Sequence, residues 1–272
     1  MFPLRDTIPA RRFPVVTVTL IALNTAVFLF QLTLSETGLQ ALFLQYGIVP
    51  ARWTDTVWAN QHGLGFSLIP FLTTQFLHGG WLHLLGNMWM LWVFGDNVED
   101  RFGRWRFLAF YLVAGGIAGL AHFLSGPQSE IPAVGASGAI AGVLGAYFLL
   151  FPTSRVLTLI PIFFYPLLVE LRAFIFLGIW FLMQLFSGTV SLFGSLLGSG
   201  ATGIAWWAHI GGFVAGLLSL RLFRLSRPRG QGKPSPRVIR PWGPEGPALI
   251  DPASPTTQRR PRFRDPRNPF ER

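Results

Sequence analysis

Long apolar runs alternate with shorter polar segments along the 272 residues, and this alternation predicts membrane helices. Each run is close to the ~20 residues that an α-helix needs to cross ~30 Å of hydrocarbon. The runs cover roughly residues 15–33, 76–95, 107–126, 137–152, 172–190 and 203–224. The pattern predicts an all-α, polytopic membrane helix bundle with six transmembrane helices. The fourth run is the shortest, and its glycine-rich start predicts a helix that begins inside the membrane beside a cavity.

The polar segments divide the chain into three parts. Residues 1–14 are predicted to be a cytosolic N-terminal arm, and residues 15–225 the six-helix domain. Residues 226–272 are rich in Pro and Arg and poor in large apolar side chains, which predicts a disordered tail. The outer loop at about residues 34–75 mixes tryptophans with polar residues, so we expect it to lie partly in the outer interface.

Charge fixes the predicted orientation. Only 12% of the residues are charged, about half the share in a soluble domain, and the net charge is +10. Thirteen of the 22 basic residues lie from Arg221 onward, directly after the last apolar run. The positive-inside rule therefore places both termini in the cytosol. We expect contact with membrane lipid and no nucleic-acid partner.

The first apolar run and the absence of cysteine limit the possible location and chemistry of the protein. The run is too long for a signal peptide and lacks a small-residue cleavage site, so it is interpreted as a span. The N-terminal arm has no transit-peptide character, which favours a bacterial inner membrane. The chain has no cysteine, which excludes thiol catalysis, disulfides and cysteine-ligated metal. No metal or cofactor is predicted.

Four polar side chains inside the spans are predicted to reach one level in the outer half of the membrane. They are His83 and Asn87 in the second run, Ser137 at the start of the fourth and His209 in the sixth. All three runs are predicted to pass from outside to inside. Polar residues inside spans are costly, and each is a candidate for function.

Stripes of small residues predict that the fourth and sixth spans pack closely. Ser137 is followed by Ala141 and Gly145, and His209 by Gly212 and Gly216, at helical spacing. Such stripes let helix backbones approach each other in lipid. Close packing would bring Ser137 and His209 within hydrogen-bonding distance.

These residue types match acyl-transfer chemistry. A serine hydroxyl becomes a nucleophile when a neighbouring base takes its proton, and neutral His209 is the candidate base. No carboxylate is predicted at that depth, so we expect a dyad. His83 and Asn87 are four residues apart and share a helix face, where they could donate to an oxyanion beside the Ser137 amide. The Gly135–Gly138 turn suits close backbone approach.

Together, these strings resemble the rhomboid family of intramembrane serine proteases over about residues 10–225. The matching strings are HGGWLHLLGN at 78–87, FGDNVEDRFG at 94–103, GASG at 135–138 and AWWAHIGG at 205–212. The resemblance implies cleavage of single-span membrane proteins near the outer membrane boundary. It implies Ser137 as nucleophile, His209 as base, and His83 and Asn87 as oxyanion donors with Gly135 beside them. It also implies that the fifth helix and the 191–202 loop act as gate and cap.

Two positions depart from the family pattern. Some members carry a tyrosine four residues after the serine, stacked on the histidine, and here that position is Ala141. Another group must therefore hold the imidazole, and the sequence does not name it. Many members carry Trp-Arg in the first outer loop, and here the order is Arg52-Trp53. Glu99 and Arg101 are interpreted as a structural charge cluster at a helix end.

Other classes fit less well. The chain has no H-E-x-x-H zinc motif, and its one Gly-Asp step, Gly95-Asp96, has no partner aspartate in another span. A transporter would more often show inverted repeats. The remaining alternative is a non-proteolytic rhomboid-like protein that binds client transmembrane segments. The intact pair of Ser137 and His209, which binding would not need, distinguishes the protease from it.

Overall fold

The structure, a computed structural model, describes residues 1–162, 165–196 and 205–222 and the pairs 238–239 and 249–250. The chain forms two compact units, Met1–Arg227 and Pro228–Arg272. In the first unit the helices are α1 (Val15–Gln31), α2 (Glu36–Tyr46), α3 (Ala51–Thr54), α4 (Thr56–Gln61), α5 (Pro70–Thr73), a 3-10 turn (Thr74–Phe76), α6 (Trp81–Phe102), α7 (Arg104–Ser125), α8 (Ser137–Leu150), α9 (Ala173–Leu196) and α10 (Trp206–Leu222). Its strands are β1 (Phe2–Asp6), β2 (Arg155–Ile162) and β3 (Tyr165–Arg172).

The helices α1, α6, α7, α8, α9 and α10 lie on the six apolar runs. Among the described residues, α7 and the stretch Ala173–Gly194 of α9 are long and apolar enough to cross a membrane, whereas α1 and α8 are apolar but shorter. Six crossings therefore stay a prediction. The helix on the second apolar run, α6, continues to Phe102, beyond its predicted end near residue 95. The mostly polar segment Asp96–Arg101 forms this extension. Gly103, with a φ of 77°, then allows the tight turn into α7.

The centre of the bundle is α8, which packs against α6, α7 and α10. Its contact with α10 is made backbone to backbone through glycines. A β-carbon on Gly212 would collide with the carbonyl oxygen of Gly138, and one on Gly216 with that of Gly142. The small-residue stripes thus do face each other, as the sequence predicted. Because α8 is surrounded by other helices rather than by lipid, its 14 residues do not have to span the full thickness of the hydrocarbon.

A three-stranded sheet corrects the all-α prediction. β1 pairs antiparallel with β2, and β2 pairs antiparallel with β3. Arg155–Ile162 is rich in β-branched and aliphatic residues but too short to cross a membrane as a helix. Val156 and Thr158, two residues apart, are both fully buried, as expected for one face of a strand. The sheet therefore ties the predicted N-terminal arm to the segment between α8 and α9.

Asp6 joins β1 to the C-terminal halves of α6 and α8. Its Oδ2 accepts hydrogen bonds from the Tyr147 hydroxyl of α8 at 2.5 Å and from Asn97 Nδ2 of α6 at 2.8 Å. The same Tyr147 hydroxyl lies 3.0 Å from Ser154 Oγ. Burial raises the pKa of Asp6 from 3.8 to about 7, partly offset by the Tyr147 hydrogen bond. Asp6 therefore joins α6 to α8 at the ends of these helices that lie away from Asn87 and Ser137.

Glu99 has the structural role that the sequence suggested. Its carboxylate accepts hydrogen bonds from the backbone amides of Val16 and Thr17, at 3.0 and 2.8 Å, and from Thr17 Oγ1 at 2.9 Å. Glu99 thus satisfies the free amides at the start of α1 from the neighbouring helix α6.

The segment at about residues 34–75, predicted to be an outer loop, is organised around Arg52 and Trp53. Buried Arg52 donates to the carbonyl oxygens of Gln45 and Gly65, both at 2.9 Å. Trp53 packs its ring on Phe71 and donates from Nε1 to Ser67 O at 3.1 Å. Both residues therefore hold the loop together from within.

In the second unit, Val238–Ile239 (β4) pairs antiparallel with Leu249–Ile250 (β5). The rest of the tail predicted to be disordered, residues 226–272, lies outside the described residues. So does part of the predicted cap at 191–202.

Candidate active site

Ser137 and His209 meet at the α8–α10 contact. Ser137 is the first residue of α8, and His209 lies in the first turn of α10. The Ser137 Oγ is 2.8 Å from His209 Nε2. Both side chains are partly buried. The glycine contact one turn further along fixes the separation of the two backbones, so the pair is set by the fold of the bundle.

Hydrogen bonds hold the loop before Ser137 against the 3-10 turn. The Gly135 amide donates to Thr74 O at 2.9 Å, and Thr74 Oγ1 donates to Ala133 O at 2.6 Å. Gly135 has a φ of 134°, a conformation that favours glycine. A β-carbon there would stand 2.7 Å from His83 Nε2 and 3.6 Å from Ser137 Oγ. Glycine at 135 therefore leaves the space in which the His83 ring approaches the serine.

His83 and Asn87 lie on the face of α6 that points to this space. The Gly79 amide donates to His83 Nδ1 at 3.4 Å, which places the ring proton on Nε2, the nitrogen beside Gly135. Asn87 Nδ2 is buried and has no hydrogen-bond partner among the described residues. An orphaned buried donor is costly unless it acquires an acceptor during function. His83 Nε2 can therefore donate to an oxygen placed next to Ser137, and Asn87, one turn further along the same helix face, offers a second unpartnered donor.

Gln184 of α9 is the functional candidate that the sequence analysis missed. Its Oε1 lies 2.8 Å from His209 Nδ1, and the side chain is buried, with 6% exposed. The rings of Trp180 and Trp206 flank His209, with centroids 6.1 and 6.2 Å away. The position that some family members fill with tyrosine, Ala141, is fully buried. An amide in the middle of an apolar span was the available signal.

A further histidine, His78, borders this arrangement, with its ring centroid 5.2 Å from that of His83. His78 is clamped by Gln31, which accepts from the His78 amide at 3.0 Å and donates to its carbonyl oxygen at 2.7 Å. This clamp joins the end of α1 to the loop before α6, so it positions the α6 start. His122 lies near the end of α7 and makes no hydrogen bond to Ser137 or His209 within the described part of the chain.

Comparison with known proteins gives a consistent result. A family model described as the rhomboid domain matches residues 65–225. RHOMBOID-like protein 5 of Arabidopsis thaliana is 46% identical over 70 residues, which cover 26% of this chain and 23% of that protein. Rhomboid protease GluP of Bacillus subtilis is 47% identical over 75 residues, 28% of this chain and 14% of that protein. Presenilin-associated rhomboid-like protein A, mitochondrial, of Danio rerio is 29% identical over 136 residues, 48% of this chain and 36% of that protein. The chain spans less than two thirds of the length of each relative.

Proposed function

Because the chain belongs to the rhomboid family, we propose that it is an intramembrane serine endopeptidase that cleaves single-span membrane proteins near the outer membrane boundary. The observation that carries this proposal is the 2.8 Å contact between Ser137 Oγ and His209 Nε2. Ser137 is the nucleophile, and His209 is the general base. His83, Asn87 and the Ser137 amide are the oxyanion donors.

The proposed topology has six spans, α1, α6, α7, α8, α9 and α10, with both termini in the cytosol. The starts of α6, α8 and α10 then lie on the outer side, together with the contact between Ser137 and His209. The predicted bacterial inner membrane is kept as a proposal, because the relatives include a mitochondrial protein as well as a bacterial one.

Acylation begins when Ser137 Oγ attacks the scissile carbonyl carbon while its proton passes to His209 Nε2. The carbonyl oxygen becomes an oxyanion. Asn87 Nδ2, His83 Nε2–H and the Ser137 N–H donate to it, and the free first-turn amides of α8 add a positive potential at the same place. These donors are worth most in the transition state, where the negative charge develops.

Collapse of the tetrahedral intermediate breaks the peptide C–N bond. His209 gives its proton to the leaving amine, which leaves an acyl ester on Ser137. A water molecule then attacks the ester carbonyl with His209 again as base, and the same donors hold the second oxyanion. The ester C–O bond breaks, and Ser137 recovers its proton from His209.

Labelling with a serine-reactive fluorophosphonate tests this assignment. The purified protein should form an adduct that mass spectrometry locates on Ser137, and His209→Ala should abolish it. His62→Ala is the matched control, since His62 lies exposed in the outer loop and should keep full labelling. Full labelling of His209→Ala would remove His209 as the base. Absence of any adduct on Ser137 would favour the non-proteolytic protein that binds client transmembrane segments.

A further inference from the structure

We propose that Gln184 of α9 is the positioning residue of the base, so that His209 is set for catalysis only while α9 packs against α10. This inference rests on the proposed function, because it assigns the partner of the proposed base. It answers what holds the imidazole in a chain with Ala141 four residues after the serine. The Ser137–His209 pair, carried by α8 and α10, would then depend on the position of α9 as well.

Helical spacing places Gln184 on the face of α9 that meets α10. Trp180, Gln184 and Gly188 recur every fourth residue. The ring of Trp180 packs near His209 and Phe213. A β-carbon on Gly188 would lie 3.2 Å from Trp206 Cβ. The amide is therefore held between two contacts on the same stripe, one turn to either side.

The hydrogen bond selects the reactive tautomer of His209. To accept the Ser137 proton, Nε2 must be unprotonated, so the single proton of the neutral ring must lie on Nδ1. The group facing Nδ1 must then be an acceptor, which assigns the oxygen of the Gln184 amide to the 2.8 Å contact. Without that acceptor, the proton could occupy Nε2, and the ring could rotate away from Ser137.

An amide suits this place because it supplies an acceptor without a charge. The segment Ala173–Leu196 contains no aspartate or glutamate. A carboxylate in the hydrocarbon region would carry a large desolvation cost. Gln184 thus takes the orienting role of the third member of a serine protease triad, with weaker support for the imidazolium.

The position of Gln184 on α9 couples the base to helix packing. The contacts beside it join apolar groups, as where Phe181 stacks on Phe213 at 4.7 Å between centroids. The opposite face of α9 is open, and Phe186 has 72% of its surface exposed. Moving α9 away from α10 would carry Oε1 away from Nδ1, because the amide reaches His209 from a different helix. Substrate entry beside α9 would therefore disable the base until the helix returns.

Three substitutions of Gln184 test separately whether the side chain must supply an acceptor, must reach His209 and must be polar. Gln184→Met keeps the length and removes the acceptor. Gln184→Asn keeps the amide but withdraws it by one methylene. Gln184→Glu restores an oxygen at the original reach. Thr189→Val is the matched control, because Thr189 lies on the same helix and its hydroxyl, among the described residues, bonds only Leu185 O of its own helix, at 2.7 Å.

Cleavage of a single-span substrate in liposomes is measured for each variant, with melting temperature and fluorophosphonate labelling of Ser137. Gln184→Met and Gln184→Asn should lose on the order of 10- to 100-fold in kcat, because a misplaced base costs about this much. KM and melting temperature should stay unchanged, and Thr189→Val should match wild type. Gln184→Glu should recover kcat to within a few fold and move the acid limb of the kcat profile to higher pH, since a carboxylate stabilises the imidazolium.

Wild-type kcat in Gln184→Met or Gln184→Asn would overturn the inference. So would a Gln184→Glu variant as slow as Gln184→Met, since the loss would then not follow the acceptor. If Gln184→Met does not fold, the Asn and Glu variants decide, because both keep a polar side chain. Failure of the proposed function looks different: wild type itself would not cleave, or Ser137→Ala would cleave as well as wild type.

Discussion

The two contacts that α10 makes with its neighbours differ in kind. Against α8 it packs backbone to backbone, with Gly212 and Gly216 seated on carbonyl oxygens of α8. Against α9 it packs through side chains, with Phe181 on Phe213 and Gln184 on His209. The first contact has no side chain that could rotate to release it. The second can open by rotamer changes, and it leaves much of α9 exposed.

One contact therefore holds Ser137 and His209 together, and the other can open to give access to them. Ser137 and His209 stand on the rigid α8–α10 contact, so their 2.8 Å separation is part of the fold. Under the proposed function, a transmembrane substrate must reach them between helices. The side-chain contact with α9 is the place where the bundle can yield without separating the nucleophile from the base.

The largest effect should come from Gly216→Val, which breaks the rigid contact. The first added carbon would collide with Gly142 O and lie 2.8 Å from the Ala146 amide nitrogen. Backbone cannot yield as a side chain can, so we expect a loss of about 3 kcal/mol in the free energy of unfolding and no activity. Thermal unfolding in detergent measures it.

The matched control is Gly116→Ala in α7, where an added β-carbon meets nothing within 4 Å. It should be neutral or stabilise the protein by up to about 1 kcal/mol, as expected for alanine in an open helical position. Equal melting temperatures for Gly216→Val and Gly116→Ala would contradict the rigid contact.

Asn87→Ala should have the next largest effect, and it tests whether Asn87 is an oxyanion donor beside the Ser137–His209 pair. Removing the orphaned amide should lower kcat on the order of 10- to 1000-fold with little change in folding. Steady-state cleavage of a single-span substrate measures this effect, and exposed Asn60→Ala is the control. An unchanged kcat in Asn87→Ala would remove it from the site.

A disulfide across the yielding contact should have a smaller effect that depends on substrate size. The chain has no native cysteine, and a β-carbon at position 188 would lie 3.2 Å from Trp206 Cβ, slightly closer than the ~3.5–4.5 Å usual across a disulfide. Oxidised Gly188→Cys/Trp206→Cys should cleave a transmembrane substrate about 10-fold more slowly than the reduced form, because α9 cannot open. Fluorophosphonate labelling should be the same in both forms. Equal cleavage with and without reductant would show that substrate does not enter beside α9.

Asp6→Asn should have the smallest effect on activity and concerns the fastening of α6 to α8. The folded pKa of Asp6, about 7, lies above the unfolded value of 3.8, so the folded state binds the proton more tightly. The stability contributed by protonated Asp6 is therefore present below about pH 4 and is lost as pH rises towards about 7. Asparagine can still accept from Tyr147 and should reduce this pH dependence by about 2 kcal/mol between pH 5 and 8. Denaturant titrations of both proteins at the two pH values measure it. The same slope in wild type and variant would contradict the assignment.

The helices could be predicted from sequence because apolar runs and small-residue stripes are local signals. Gly212 and Gly216 mark the α8–α10 contact by spacing alone, and that contact brings His209 to Ser137. The sheet was missed because β2 and β3 are apolar segments, and because the pairing of β2 with β1 joins residues about 150 positions apart. Pattern alone does not specify such a partner.

Gln184 was missed for a different reason. The apolar pattern of α9 continues almost all around the helix, so the sequence does not show which face meets α10. Only the packed structure sets that rotation and places the amide on His209. The outcome for Ala141 is similar, since the sequence showed that the usual partner was missing but not which helix would replace it.

Cleavage of a single-span membrane protein by the purified chain in liposomes, beside Ser137→Ala, tests the central claim most directly. Ser125→Ala is the control, since within the described part of the chain its hydroxyl bonds only His122 O of its own helix. Wild type and Ser125→Ala should cut the substrate near its outer membrane boundary, and Ser137→Ala should not. Cleavage by Ser137→Ala at the wild-type rate, or by none of the three proteins, would contradict the account.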